Sequence, residues 1–221
     1  MVDKKYRRLK FQRAVTLLGG AGFSECELRK SLRLAPELVA ADGGVNYLKS
    51  GKDIPSYIVG DCDSAKDIKK WEIKGTKILK ITEQNSTDFE KCVRNINAPK
   101  FICLGFANER LDHFLAVCSA LIKTKKPIFI VGNRDLIFHL PAKFNFDLPM
   151  HSRVSFYPLK EISSISSKGL KYPLKGIKFS PADRIGTSNI SVCNKIEISY
   201  KGGGMLAILS KKHLEKIWKL F

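Results

Sequence analysis

The chain has 221 residues, 44% of them hydrophobic and 27% charged, which suits one large globular domain or two small ones with a proper core. No apolar run approaches the ~18 residues of a membrane span, and the basic start MVDKKYRRLKFQR lacks the apolar stretch of a secretory signal. A net charge of +18 attracts polyanions, yet beyond that arm the basic residues are spread thinly and no nucleic-acid module is present, so no specific nucleic-acid partner is expected. Six scattered cysteines form no CxxC pair and no zinc-like spacing with histidine. Most of them are expected to be reduced core residues in a cytoplasmic protein.

In chain order, AVTLLGG predicts a first strand ending in glycines, and LVAADGG a second ending in Asp42. Gly43 and Gly44 then precede a helical segment, VNYLKS, where bare backbone N–H groups could meet an anion. YIVGD is a third strand and TKILKI a fourth. STDFEKCV opens a helix, with Thr87 and Glu90 spaced as a capping box. KFICLGF is a fifth strand and PIFIVGN a sixth. Between them RLDHFLAVCSALIKT sets Leu111, Phe114, Leu115, Cys118, Leu121 and Ile122 on one helical face. Strands alternating with helices predict an α/β domain with a mostly parallel, Rossmann-like sheet. After about Asp147 come short runs punctuated by serine, glycine and proline, such as RVSFYPL, GIKFS, NKIEISY and GGMLAILS. They predict a small antiparallel, sandwich-like β domain. The expected domains are residues 1–147 and 148–221.

The chemistry concentrates at strand ends, where ligands of parallel α/β sheets bind. Asp61 and Asp63 close the third strand and, two apart, point to one side. Two such carboxylates repel unless a proton or cation sits between them; as turn residues they would be unremarkable. Asp42, Asp88 and Asp112 occupy equivalent positions after other strands, although Asp88 and Asp112 would also complement a helix dipole. Carboxylates gathered without histidine or cysteine favour a hard cation, Mg2+ above all. Arg110 opens a helix at its unfavourable positive end, which suits either a phosphate or a surface ion pair with Glu109. No Walker or GxGxxG motif is present.

The motifs ADGG, GDCDS, QNSTDFEK, RLDHFLA, GLKYPLKG and RIGTSN occur in the order seen in thiamin pyrophosphokinases, and the resemblance spans Asp42 to about Leu209. It implies an enzyme that transfers the pyrophosphoryl group of MgATP to thiamin, giving thiamin diphosphate and AMP. It implies that Asp61, Asp63 and Asp88 hold metal and phosphate, with Gln84, Thr87, Arg110 and Asp112 nearby and Asp42, Gly43 and Gly44 on the same edge. The β domain would help bind thiamin through Tyr172, Thr187, Ser188 and Asn189, an aromatic face plus neutral hydrogen-bonding groups suited to a cationic heterocycle. A homodimer with the thiamin site at the subunit interface is also implied. Asp112 is a candidate general base.

The sequence departs from the family pattern at Cys62, where an aromatic is usual, at Asn85 in place of an aspartate, at Asn108-Glu109 in place of a glycine pair, and at Tyr172 in place of tryptophan. The Cys62 side chain is expected to point away from the site. Two rival readings are a pyrophosphokinase for another hydroxymethyl heterocycle, such as a pterin, and a non-catalytic basic nucleic-acid-binding protein.

Overall fold

The structure is a computed structural model that describes residues 9–49, 52–107 and 110–221. Most of the basic N-terminal arm, and the Asn108-Glu109 pair with its expected contact to Arg110, lie outside the described residues. The chain forms two units, Met1–Ala120 with Lys126–Asn133 and Leu121–Lys125 with Arg134–Phe221.

In the first unit the elements run β1 (Leu9–Lys10), β2 (Val15–Leu18), α1 (Glu25–Leu34), β3 (Glu37–Ala41), β4 (Tyr57–Gly60), α2 (Ile68–Ile73), β5 (Lys77–Lys80), α3 (Asp88–Asn95), β6 (Ile96–Asn97), β7 (Phe101–Leu104), α4 (Leu111–Lys123) and β8 (Ile128–Val131). All six expected strands form. They make a parallel sheet in the order β8-β7-β2-β3-β4-β5, with Val15 beside both Glu37 and Phe101. Every residue of β2, β7 and β8 is buried, which is why these strands are unbroken apolar runs rather than alternating ones. β5 ends the sheet with lysines at both its termini, charges that discourage further pairing. β1 and β6 form a separate two-residue parallel pair.

α3 begins with the expected capping box, Thr87 against Glu90, and Lys126 Nζ donates to the Val93 and Ile96 carbonyls at its far end, both at 2.6 Å. The apolar face expected of α4 is only partly buried. Cys118 and Leu121 are inside, but Leu111 and Leu115 are 78% and 61% exposed. The first turns of α4 instead turn Arg110, His113 and Val117 toward a cavity, and this rotation leaves the two leucines outside.

The second unit holds β9 (Asp135–His139), β10 (Lys143–Asp147), β11 (Arg153–Pro158), β12 (Ser163–Lys168), β13 (Gly186–Ile190), β14 (Lys195–Lys201), β15 (Met205–Ser210) and the short α5 (Leu214–Trp218). β13, β11, β15 and β9 pair antiparallel in that order, and β10, β14 and β12 form a second antiparallel sheet. β10 and β14 alternate buried and exposed residues, as strands with one wet face do. The rings of Phe138 on β9, Phe144 on β10 and Phe221 meet at 5.1–6.0 Å between centroids. The boundary therefore lies near residue 134, not 147: β9 and β10 belong to the second unit because their hydrogen-bonding partners are β15 and β14. The segment GIKFS forms no strand beyond a single bridge of Phe179 to Ile162.

Candidate active site

Strand order reverses between β2 and β7, and ligand crevices of open parallel sheets lie at such switch points. A cavity of about 530 Å3 opens there. It is floored by Gly19 and Gly20 after β2 and by Gly105 after β7, with Asp42, Asp88 and Arg110 also on its wall. A side chain on Gly19 would collide with the Gly105 carbonyl, so the two strand ends can approach only as glycines. The stretch GGAGFSE, which matches no nucleotide motif, thus supplies bare backbone to the pocket.

Three of the five strand-end carboxylates converge. One oxygen each from Asp42, Asp61 and Asp63 lies within 4.8 Å of the others. Asp42 is buried, begins a 3-10 turn over Asp42–Tyr47 and has φ +39. Its oxygens accept from the Ser64 and Ala65 N–H groups at 3.2 and 3.1 Å. Burial, outweighing those bonds, and the nearby Asp88 charge push its carboxyl up to about 6. One turn on, Asn46 donates to the Ser64 carbonyl at 2.9 Å and accepts from Lys66 N–H at 2.8 Å. Two side chains of one turn thereby hold the loop that carries Asp63. A Cβ on Gly60 would sit 2.8 Å from that of Asp42, so the approach of the two strand ends requires glycine here too.

Gly43 faces the large cavity. Gly44 has a different duty: a side chain there would strike the Leu18 carbonyl. Both lie in the first turn of the 3-10 helix rather than ahead of it.

Asp88 does not join the trio. Its Oδ1 accepts from Lys91 Nζ at 3.1 Å, and the same ammonium donates to Asp61 Oδ2 at 3.0 Å. Lys91 was not apparent as a site residue, although its i+3 spacing from Asp88 was readable. The residue is 3% exposed. Burial pulls its ammonium down, but the bonds to Asp61 and Asp88 together raise it. For Asp61 the Lys91 bond outweighs burial, with help from Gln84 Nε2 at 3.2 Å, and holds the carboxyl below its ordinary range. Asp61 Oδ1 is buried with no hydrogen-bond partner. Asp61, Asp63, Gln84, Asp88 and Lys91 line a second cavity of about 370 Å3, and His113 lines both.

Arg110 pairs with Asp112, at 2.7 Å, and both side chains are 65% exposed. The guanidinium holds the Asp112 carboxyl down at about 2, which makes it a poor general base. Cys62 adopts φ +67 and lines neither cavity; its Sγ lies 3.8 Å from the Gly60 carbonyl, as expected of a side chain turned aside.

In the second unit Tyr172 is 56% exposed, with Lys171 Nζ 5.4 Å from its ring centre. Thr187 and Ser188 are exposed, and Ser188 has φ +59. Asn189 is buried, and its amide is bonded to the backbone: Nδ2 donates to the Tyr172 carbonyl at 2.7 Å, and Oδ1 accepts from Tyr172 N–H at 3.1 Å. It fixes the tyrosine loop.

A parallel α/β unit with glycines and carboxylates at its switch point, followed by an antiparallel β unit, defines a two-part α/β protein with a ligand crevice in its first unit. Two family models match: "Thiamin pyrophosphokinase, catalytic domain" over residues 28–131 and "Thiamin pyrophosphokinase, vitamin B1 binding domain" over residues 138–204. Together they span well over half of the chain, which belongs to the thiamin pyrophosphokinase family and is an enzyme. Thiamin pyrophosphokinase 1 of Caenorhabditis elegans is 29% identical over 171 residues, 68% of this chain and 70% of that protein. Thiamine pyrophosphokinase of Saccharomyces cerevisiae is 29% identical over 151 residues, 57% of this chain and 47% of the yeast protein. Among solved structures, thiamin pyrophosphokinase from Candida albicans has a TM-score of 0.78 at 18% identity, covering 95% of this chain and 94% of its own. The yeast enzyme has the same TM-score at 19% identity, covering 100% and 96%.

Proposed function

We propose that this enzyme moves the pyrophosphoryl group of ATP, as its Mg2+ complex, to the hydroxyl of thiamin, and that the switch-point crevice of the first unit is where it does so. Thiamin diphosphate, made from thiamin, is the product that the family membership gives. The observation that carries the site assignment is the Asp42–Asp61–Asp63 trio beside a cavity large enough for a nucleotide.

The residues fit a hard divalent cation. The donors are all carboxylate oxygens, and Asp61 Oδ1, buried without a partner, has an unmet need for a positive neighbour. Asp42, Asp61 and Asp63 would hold the ion; when bound, it would neutralise charge on the polyphosphate. Asp88, tied to Lys91, would sit beside the polyphosphate rather than on the metal. Arg110, at the cavity wall, would exchange its Asp112 contact for a phosphate oxygen. Gly19, Gly20 and Gly105 would let the nucleotide lie close to the backbone. The thiamin oxygen attacks the β-phosphorus, and AMP leaves with the bridging oxygen. Positioning and charge supply the catalysis, and no residue is assigned as general base.

For thiamin we propose the second unit's Tyr172, Thr187 and Ser188, in a homodimer whose sites are completed by the partner's β domain. With all six cysteines free, a reducing compartment such as the cytoplasm is the proposed location; among the described residues no helix is long and apolar enough to cross a membrane. A nucleic-acid-binding role would leave the carboxylate trio unexplained. The test is to incubate the protein with MgATP and thiamin: AMP and thiamin diphosphate should appear in equal amounts. ADP with thiamin monophosphate would overturn the mechanism, and strong preference for a hydroxymethylpterin would overturn the choice of acceptor.

A further inference from the structure

Lys91 is a site group that neither the strand ends nor the carboxylate trio supplies. It sits in the first turn of α3, the positive end of the helix, where a lysine is disfavoured. It is also almost fully buried, where an ammonium is costly unless it is paired. A buried ion pair maintained for stability alone could be replaced by a packed apolar side chain at little loss. What an apolar residue could not do is face two carboxylates at once. Lys91 lies 3.0 Å from an oxygen of Asp61 and 3.1 Å from one of Asp88, and so joins a member of the trio to the acid that lines both cavities. It engages Oδ2 of Asp61, while Oδ1 of the same carboxylate is buried with no hydrogen-bond partner.

Four carboxylates crowd this edge. Three converge on one point, and the fourth shares a fixed cation with one of them. In sites that handle polyphosphate, a second divalent ion a few ångströms from the first commonly occupies the space between such paired acids. Here that space holds an ammonium.

We propose that Lys91 is the resident cation of the site: a positioning residue that orients Asp61 toward Asp42 and Asp63 and fills the place of a second metal ion, so that the cluster takes one divalent ion instead of two. The proposal rests on the reading of the trio as a cation site, and the two can fail separately.

The experiment counts Mn2+ by electron paramagnetic resonance, titrated into the full-length protein saturated with α,β-methylene-ATP, whose Pα–C–Pβ link cannot be cleaved. Wild type should bind one ion per active site. Lys91→Met should bind two, and its thermal midpoint should rise more on Mn2+ addition than that of wild type. Should Lys91→Met fail to fold, Lys91→Gln, which keeps a hydrogen-bond donor and removes the charge, should likewise bind two ions, whereas Lys91→Met with Asp88→Asn, which lacks the acid that would complete the second position, should bind one. Two ions per site in wild type would overturn the role of Lys91 and leave the cation site standing. One ion in both wild type and Lys91→Met, with equal affinity, would reduce Lys91 to an internal salt bridge. No Mn2+ bound by wild type would overturn the cation site itself and Lys91's role with it. Two ions in the double variant would show that Asp88 is no part of the second position and would also overturn the proposal.

Discussion

Asp61→Asn and Asp63→Asn should separate catalysis from stability. Each removes a carboxylate from the trio, and each should lower kcat by roughly 10²-fold or more, because charge is lost where phosphoryl charge develops. If repulsion among the acids dominated, both substitutions would also stabilise the metal-free protein. The structure gives a different result for Asp61. Its Oδ2 accepts from Lys91 and Gln84, and its carboxyl is held below the ordinary range, so in the folded protein the Lys91 bond, helped by Gln84, outweighs burial. Breaking a buried ion pair typically costs about 3–5 kcal/mol. Lys91 would keep Asp88, and an asparagine oxygen can still accept from the ammonium, so about 2 kcal/mol is the expected loss. For a chain of this size that is a fall of about 4–8 °C in Tm. Asp63 is exposed, accepts a 2.9 Å bond from the neighbouring Ser64 hydroxyl and faces the Asp42 carboxyl, so Asp63→Asn should melt within about 1 °C of wild type or slightly above it. The assay is calorimetry in EDTA at pH 7.5, alongside AMP release at saturating MgATP and thiamin. Equal melting of the two variants, or an Asp61→Asn protein as stable as wild type, would refute the claim that Lys91 holds Asp61 in place.

Asp42 sets a pH dependence: folded, it keeps its proton up to about pH 6, whereas the unfolded chain releases it near 3.8. The folded state therefore binds more protons in that window, and metal-free stability should fall by roughly 2–3 kcal/mol as pH rises from about 4 to 6. Chemical denaturation across that range should show this slope in wild type and not in Asp42→Asn, and an equal slope in both would disprove it. Arg110→Ala should raise KM for ATP about 10-fold with thiamin binding unchanged; unaltered kinetics would leave Arg110 as a surface partner of Asp112 alone. If the thiamin site is shared across a dimer, co-expressing Asp61→Asn with Tyr172→Ala/Ser188→Ala at equal levels should restore about a quarter of wild-type activity, because half the dimers are mixed and each has one intact site of two. No recovery in verified mixed dimers would exclude the shared site.

The first unit was legible because its strands are buried on both faces and written as unbroken apolar runs such as FICL and IFIV, each closing on a glycine or a polar residue. That punctuation marked where Asp42 and Asp61 would emerge. The domain boundary was less legible. KFNFD alternates as an antiparallel strand should, but its partner is the Lys195–Ser199 stretch some fifty residues later, and local texture does not show a pairing that distant. Asn189 reads as a free polar group until its burial and its two bonds to the Tyr172 backbone are known.

Lys91 shows most clearly where sequence reasoning stops. Along the chain, GDCDS has no cationic neighbour, so a bound metal or a proton was the natural way to reconcile Asp61 with Asp63. The cation that Asp61 meets is thirty residues away, delivered by one turn of a helix whose capping box, Thr87 with Glu90, was itself readable. From that cap, Asp88 and Lys91 fall at i and i+3 on one side of α3. What could not be read is that this side faces the end of β4 across the sheet edge, because that placement depends on α3 packing on β3 and β4 through buried residues such as Phe89 and Cys92. Helix packing therefore places the counter-charge, and the carboxylate site is shared between a strand end and a helix that only the fold brings together.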